Sequence, residues 1–418
     1  MRAGTWLTHR NITAARASWR HARDVADRLP DGDSDRTAMR IAPRTLLCAS
    51  AWLAGGSVAD IGFDELRDLA SDAGDKVSLT MGMAGWVSAL VTHAQVDEAS
   101  RLATELTGLL ESIGDPTLVL GLLYSPVAAK YMHAEMTETE RLAQLMIDLA
   151  DGDATKGNLI IGSPLTGAIL LRGCARSLLG KSGWRADVDQ AVTMVRAFDP
   201  TLFGMALLFK HTLITVGALL PDVSAVDETS ELMEIAERFG DNLTLARAQY
   251  VRGIALTTFF GPGRDDAYAL LVSAREAARQ ERFTMVAGEL VNLYFATELA
   301  RAGDLDGAIE GSRTVVETEY DCGDMLLRGV SVSVLVGGLL GRGRPADLEE
   351  AQAAIERLAA VPTEPGFVVN ELWLLPMRAR EAQARGDESA YRDYRDRYRA
   401  RANALGFEGH IAWAQAME

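Results

Sequence analysis

Apolar residues recur at helical spacing along nearly the whole chain. In ELMEIAERFG (231–240), DEASRLATELTGLLESIG (97–114) and DLEEAQAAIERLAA (347–360) they fall at i, i+3 and i+4. That spacing puts one apolar stripe on each helix and leaves the charges on the other face. A second kind of segment carries almost no charge: VSLTMGMAGWVSALVTH (77–93), PTLVLGLLYSPVAAKYM (116–132) and NLIIGSPLTGAILLRGCARSLL (158–179). No stretch alternates as a strand would, and no Asn-Gly hairpin signal occurs. The pattern predicts an all-α chain in which nearly uncharged first helices alternate with amphipathic second helices.

The helix breakers set the period. One series runs Asp33, Asp75, Asp115, Asp153, Asp199, Asp241, Glu281, Asp324 and Pro365. A second falls midway: Gly56, Gln95, Glu135, Gly180, Asp222, Pro262, Gly303, Gly343 and Gly386. Gly74, Gly114, Gly152, Gly240 and Gly323 suit the left-handed turn that closes a helix. The acidic residue after each can accept from the free N–H groups opening the next helix. Pro116 and Pro200 then stand at the first helical position, where no donor is missed.

Two series sharing a spacing of about 41 residues imply two helices per repeat. A helical pair cannot bury its apolar face alone, so neighbours stack. The fold class expected is all-α, a right-handed superhelical solenoid of extended tetratricopeptide-like hairpins. Residues 1–40 form an incomplete N-terminal repeat, 41–385 the array, and 386–418 a capping helix and tail. The segment 9–30 reads as the second helix of a pair whose first is missing or incomplete. Its uncovered apolar face would fit an upstream domain or a partner.

By analogy with such arrays, the first helices line a concave surface. Their polar exceptions are the candidate binding residues: Tyr124, Lys130, Tyr131, Arg172, Lys210, His211, Tyr250, Asn292 and Tyr294. Ser125-Pro126 and Ser163-Pro164 lie inside two adjacent first helices, where proline removes a backbone bond and bends or breaks the helix.

Composition narrows the function classes. The 58 acidic residues against 42 basic give a net charge of −16, which disfavours a nucleic-acid clamp. Apolar residues at 48% exclude wholesale disorder. Cys48, Cys174 and Cys322 lie far apart, with neither disulfide-framework nor zinc spacing, which points to a reducing cytoplasm. The N-terminus lacks the apolar core of a signal peptide. The most apolar run, 201–220, has Lys210 and His211 at its centre and reads as a buried helix; no membrane association is expected.

Sequence motifs for chemistry fail on spacing. In GCARSLLGKS (173–182) the first glycine of a phosphate loop would fall at Ala175, and a helix rather than a strand precedes it. PDGDSDR (30–36) has calcium-loop aspartates, but Arg36 and Ala42 stand where glycine and glutamate belong. The six histidines form no His-Glu-x-x-His pair. GGLLGRGRP (337–345) is a helix stop, and no Gly-x-Ser-x-Gly elbow occurs. No catalytic residue, cofactor or metal site is expected. The helix 391–407 carries Tyr391, Tyr394 and Tyr398 on one face, expected to pack inward beneath exposed Asp/Arg pairs.

RIAPRTLLCASAW (40–52) and YRDYRDRYRARANALGFEGHIAWAQAM (391–417) resemble the C-terminal helical region of large actinobacterial signalling proteins. In those, a class III adenylate or guanylate cyclase domain precedes an AAA/STAND-type ATPase domain and a tetratricopeptide-like array. The cyclase aspartates and the ATPase phosphate loop have no counterpart here. The resemblance therefore implies a non-enzymatic interaction and sensor module. Its expected partners are a protein, either an ATPase or cyclase domain or a peptide, and a small-molecule ligand. The alternatives are a ligand-sensing fragment of a STAND-type transcriptional regulator, and a solenoid enzyme with clustered, perturbed ionisable groups.

Overall fold

The computed structural model describes Met1, Arg2, Leu7 and residues 12–54, 58–159, 161–196, 200–239, 242–258, 264–280 and 285–417. Among them there is no strand. Gly56, Asp199, Gly240, Asp241, Pro262 and Glu281 of the breaker series lie outside the described residues.

The chain runs α1 (Ile12–Ala26), α2 (Arg36–Ala49), α3 (Ala51–Ala54), α4 (Phe63–Ala73), α5 (Lys76–Thr92) and α6 (Val96–Ile113). It continues through α7 (Pro116–Leu122), α8 (Tyr124–Met132), α9 (Met136–Ala150), α10 (Pro164–Leu178) and α11 (Trp184–Arg196). Next come α12 (Pro200–Thr215), α13 (Val223–Phe239), α14 (Asn242–Thr258), α15 (Arg264–Arg279) and α16 (Met285–Arg301). The last are α17 (Leu305–Cys322), α18 (Arg328–Arg342), α19 (Pro345–Ala359), α20 (Val369–Ala384), α21 (Glu388–Leu405) and α22 (Glu408–Gln415). From α4 onward each helix packs on the next, and each first helix also touches the first helix of the following pair, from α2 and α5 through to α18 and α20. The result is an all-α solenoid whose core is one continuous seam of buried side chains from Ile41 to Ala414.

Local chemistry sets the boundaries. Asp75 accepts from the Ser78 N–H at 3.0 Å, and Asp115 accepts from the Thr117 and Leu118 N–H groups at 2.8 and 3.0 Å. Asp304 and Asp387 cap α17 and α21 in the same way. Two first helices depart from the sequence reading. The helix expected over 116–132 is split at Leu123 into α7 and α8, with Pro126 in the first turn of α8. The helix expected over 158–179 starts only at Pro164, because Ser163 caps it and accepts from the Thr166 N–H.

Where first helices cross, small residues let the backbones meet. A Cβ on Gly85 of α5 would overlap the Cys48 carbonyl oxygen of α2.

The solenoid also closes on itself. The Val368 N–H donates to the Leu178 carbonyl at 3.0 Å, and the Thr137 N–H to Glu364 Oε1 at 3.0 Å. The last helix docks on the turn after α12. There the Glu408 and His410 N–H groups donate to the Ala218 and Gly217 carbonyls, both at 3.2 Å. Arg185 clamps Glu408 at 2.8 Å. His410 is fully buried, 2.8 Å from the Tyr398 hydroxyl through Nδ1 and 3.0 Å from the Val216 carbonyl through Nε2. A carbonyl only accepts, so Nε2 carries the proton and Nδ1 accepts from Tyr398. On α21, Tyr398 is buried while Tyr391 and Tyr394 are half-buried, with Arg392–Glu388 and Arg397–Asp393 pairs outside.

Candidate functional site

Curling brings the first helices around a lumen. It contains a cavity of about 140 Å³. Its walls come from α5, α8, α12, α14 and α16, with Trp52 of α3 at one side. Aromatic and long apolar side chains dominate: Trp52, Tyr124, Tyr131, Met205, Phe209 and Tyr250. The Tyr131 and Phe209 rings meet edge to face, with centroids 5.3 Å apart. Tyr124 is seated by Gly167, where a Cβ would lie 2.7 Å from the tyrosine ring.

The floor is a connecting segment rather than a helix. Residues 324–327, between α17 and α18, place Asp324, Leu326 and Leu327 in the cavity wall. Gly323 turns the chain there with φ +80°, and Asp97 from the start of α6 leaves no space for a side chain at that position. Asp324 Oδ1 accepts from the Leu326 and Leu327 N–H groups at 2.9 and 3.4 Å, opening α18.

The electrostatics are those of a dry site. Asp324 is 6% exposed and is the one carboxyl among the described residues lining the cavity, which include no Lys, Arg or His. Burial pushes its pKa up, against the pull of the two N–H groups and of Arg328. The Arg328 guanidinium is turned elsewhere: it donates to the Glu319 carbonyl at 2.9 Å and lies over the Tyr320 ring at 4.2 Å. Burial likewise raises the Tyr124, Tyr131 and Tyr250 hydroxyls, so all stay protonated. The Tyr131 hydroxyl is buried with the Cys174 thiol, a weak hydrogen-bonding group, beside it. Ser88 donates to Ser125, while Thr92 and Thr212 donate to the Ala89 and Leu208 carbonyls.

Of the nine residues singled out in the sequence, Tyr124, Tyr131 and Tyr250 line this cavity together. Lys130 is buried against Glu135 Oε2 at 2.8 Å and Ser100 Oγ at 2.9 Å. Arg172 forks onto Asp187 at 2.6 and 3.0 Å and reaches Gln144 at 2.8 Å. Lys210 pairs with Glu228 at 2.7 Å. His211 is fully buried, and desolvation, with neighbouring Lys210, pushes its pKa down to about 3. Asn292 is half-buried, and Tyr294 shares a 2.9 Å hydrogen bond with Thr215.

Sequence reasoning missed Trp52, Phe209 and Asp324 as site residues. The available signal was Met325-Leu326-Leu327, an apolar run directly behind the Gly-Asp breaker, where a surface loop would be polar.

The arrangement offers apolar volume, ring faces and a few polar atoms, the ordinary make-up of a ligand site. It offers no nucleophile–base pair. Cys174 is buried, and burial pushes its thiol up to about 12, as it does for Cys48. Among the described residues no group of three or more His, Cys, Asp or Glu could hold a metal. No helix among them is long and apolar enough to cross a membrane.

No family model matches the chain, and no curated protein matches it at a significant level. Among solved structures, a Rap protein complexed with competence and sporulation factor aligns over 81% of this chain and 96% of its own, at 12% identity and a TM-score of 0.49.

Proposed function

We propose that the chain is a non-enzymatic binding module whose lumen holds a small, largely apolar ligand or the apolar side chain of a peptide. The observation that carries this reading is the cavity bounded by Tyr124, Tyr131, Tyr250 and the 324–327 segment, with a buried carboxyl in its walls. Cavities of this size lined by aliphatic and aromatic groups hold benzene-sized molecules. Occupancy would draw together repeats far apart in sequence, since the walls span Trp52 to Leu327. That gives the solenoid a means of reporting a ligand to a partner.

The finer reading names the partner as an ATPase or cyclase domain acting in trans. Its support is the resemblance of 40–52 and 391–417 to the helical region of actinobacterial signalling proteins, the second of these segments building α21 and α22.

Thermal stabilisation by a panel of small apolar molecules and hydrophobic peptides tests the binding reading, with Ala128→Phe as the control that fills the cavity from α8. A ligand that stabilises wild type and leaves the filled variant unmoved is the expected result. Equal stabilisation of both proteins, or none by any compound, removes the reading. Capture of a purified ATPase or cyclase domain, with and without such a ligand, tests the partner.

A further inference from the structure

Asp324 poses a chemical question that helix capping does not answer. A capping aspartate usually sits at the surface, where water satisfies its second oxygen. Here the residue is 94% buried in a wall whose other described lining residues carry no charge, and only Oδ1 accepts hydrogen bonds. It makes no ion pair with any described residue: Arg328, the basic group next along the chain, acts on it electrostatically, while its guanidinium bonds the Glu319 carbonyl and covers the Tyr320 ring. A buried carboxylate with no direct ion-pair partner is costly, and either a proton or a counter-charge in contact with it must relieve it.

The rest of the site favours a counter-charge that arrives with the ligand. Trp52, Tyr124, Tyr131, Phe209 and Tyr250 surround the space with aromatic rings, whose faces attract cations. The Ser88 and Thr212 hydroxyls have spent their protons inside the protein and keep lone pairs that can accept. The Tyr131 hydroxyl has only the Cys174 thiol, a weak partner, beside it. These groups accept N–H bonds and stabilise positive charge, and the described lining residues include no Lys, Arg or His to repel it.

Building on the binding reading above, we infer that the lumen is a receptor for a small organic cation, an aryl- or alkyl-ammonium whose charge meets Asp324 and whose apolar body fills the aromatic chamber. A cavity of about 140 Å³ suits a benzene-sized apolar body, with the ammonium group at the Asp324 carboxylate. An anion would meet the carboxylate with no basic group to offset it. A neutral alcohol would fill the same volume and leave Asp324 unpaired.

Calorimetric titration at pH 7 with 2-phenylethylamine, 2-phenylethanol and phenylacetate tests this on the full chain. Wild type should bind the amine at least tenfold more tightly than the alcohol, with phenylacetate weakest. Asp324→Asn keeps an Oδ1 acceptor for the Leu326 and Leu327 N–H groups, so its melting temperature should stay close to wild type. It should lose the tenfold preference while keeping the alcohol affinity. Ala128→Phe should abolish both.

Equal binding of amine and alcohol, or an undiminished preference in Asp324→Asn, overturns the cation assignment and leaves the lumen as an apolar ligand site. Failure of all three probes also overturns it, whereas the broader binding reading falls only if the full ligand and peptide panel is likewise silent.

Discussion

His410 allows a quantitative test of how the solenoid closes. Its ring is fully buried among Trp373, Tyr398, Phe407 and Trp413, and these with Val216 and Gly217 bring no charged group against it. Burial holds its pKa down at about 4, against the raising effect of the Val216 carbonyl. The neutral ring is therefore the folded form, while the unfolded chain takes up a proton near pH 6.5. Stability from this group is complete above that value and is lost as pH falls toward 4.

Working the shift through linkage, wild type should lose roughly 2 kcal/mol from His410 between pH 8 and pH 5. His410→Gln removes that dependence. It should cost about 2 kcal/mol at pH 8, through two lost buried hydrogen bonds and poorer packing, and almost nothing at pH 5. Urea denaturation of both proteins at the two pH values measures the gap. His211, pushed down to about 3, adds to the slope of both and cancels in the difference. A gap that stays the same at pH 8 and pH 5 would refute the buried, neutral assignment.

Other substitutions probe separate features. Gly85→Ala should lower stability by about 2 kcal/mol, because overlap with the Cys48 carbonyl outweighs the roughly 1 kcal/mol helical advantage of alanine; the urea midpoint reports the sign. Ala94→Gly should raise the melting temperature, by about 1 kcal/mol of stability, since Ala94 holds φ +59° in the slot that Gly303 and Gly386 fill at the corresponding turns. Asp187→Ala leaves Arg172 without its carboxylate and Arg176 with Glu140 alone, and should cost about 3 kcal/mol in the same assay, with Asp187→Asn milder. Tyr131→Phe should leave the unliganded protein's melting temperature nearly unchanged, because the hydroxyl has only the weakly bonding Cys174 thiol beside it; a fall of several degrees would show a stronger bond.

What was legible in the sequence was what is decided locally. Asp75, Asp115, Asp304 and Asp387 announce their helices because a capping bond spans three residues, and the alternation of uncharged and amphipathic segments follows from stacking with immediate neighbours. The break at Leu123 and the late start at Pro164 were visible only as proline signals, whose outcome depends on packing. Lys130, Arg172 and Lys210 look like free polar groups on apolar helices, yet each is held by a carboxylate, from Glu135, Asp187 and Glu228 respectively. The lumen was least legible. Trp52, Tyr250 and Asp324 meet only because the array curls, and no periodicity in the sequence records the curl.

The docking of α22 beside the turn after α12 changes how the molecule should come apart. An open row of repeats can fray from either tip, one hairpin at a time, without disturbing its middle. Here the chain's closing residues serve as a keystone for a segment nearly two hundred residues earlier. Deleting Glu408–Gln415 would therefore uncover the α12–α13 junction rather than merely shorten an end, and melting should be more nearly all-or-none than the modular architecture suggests.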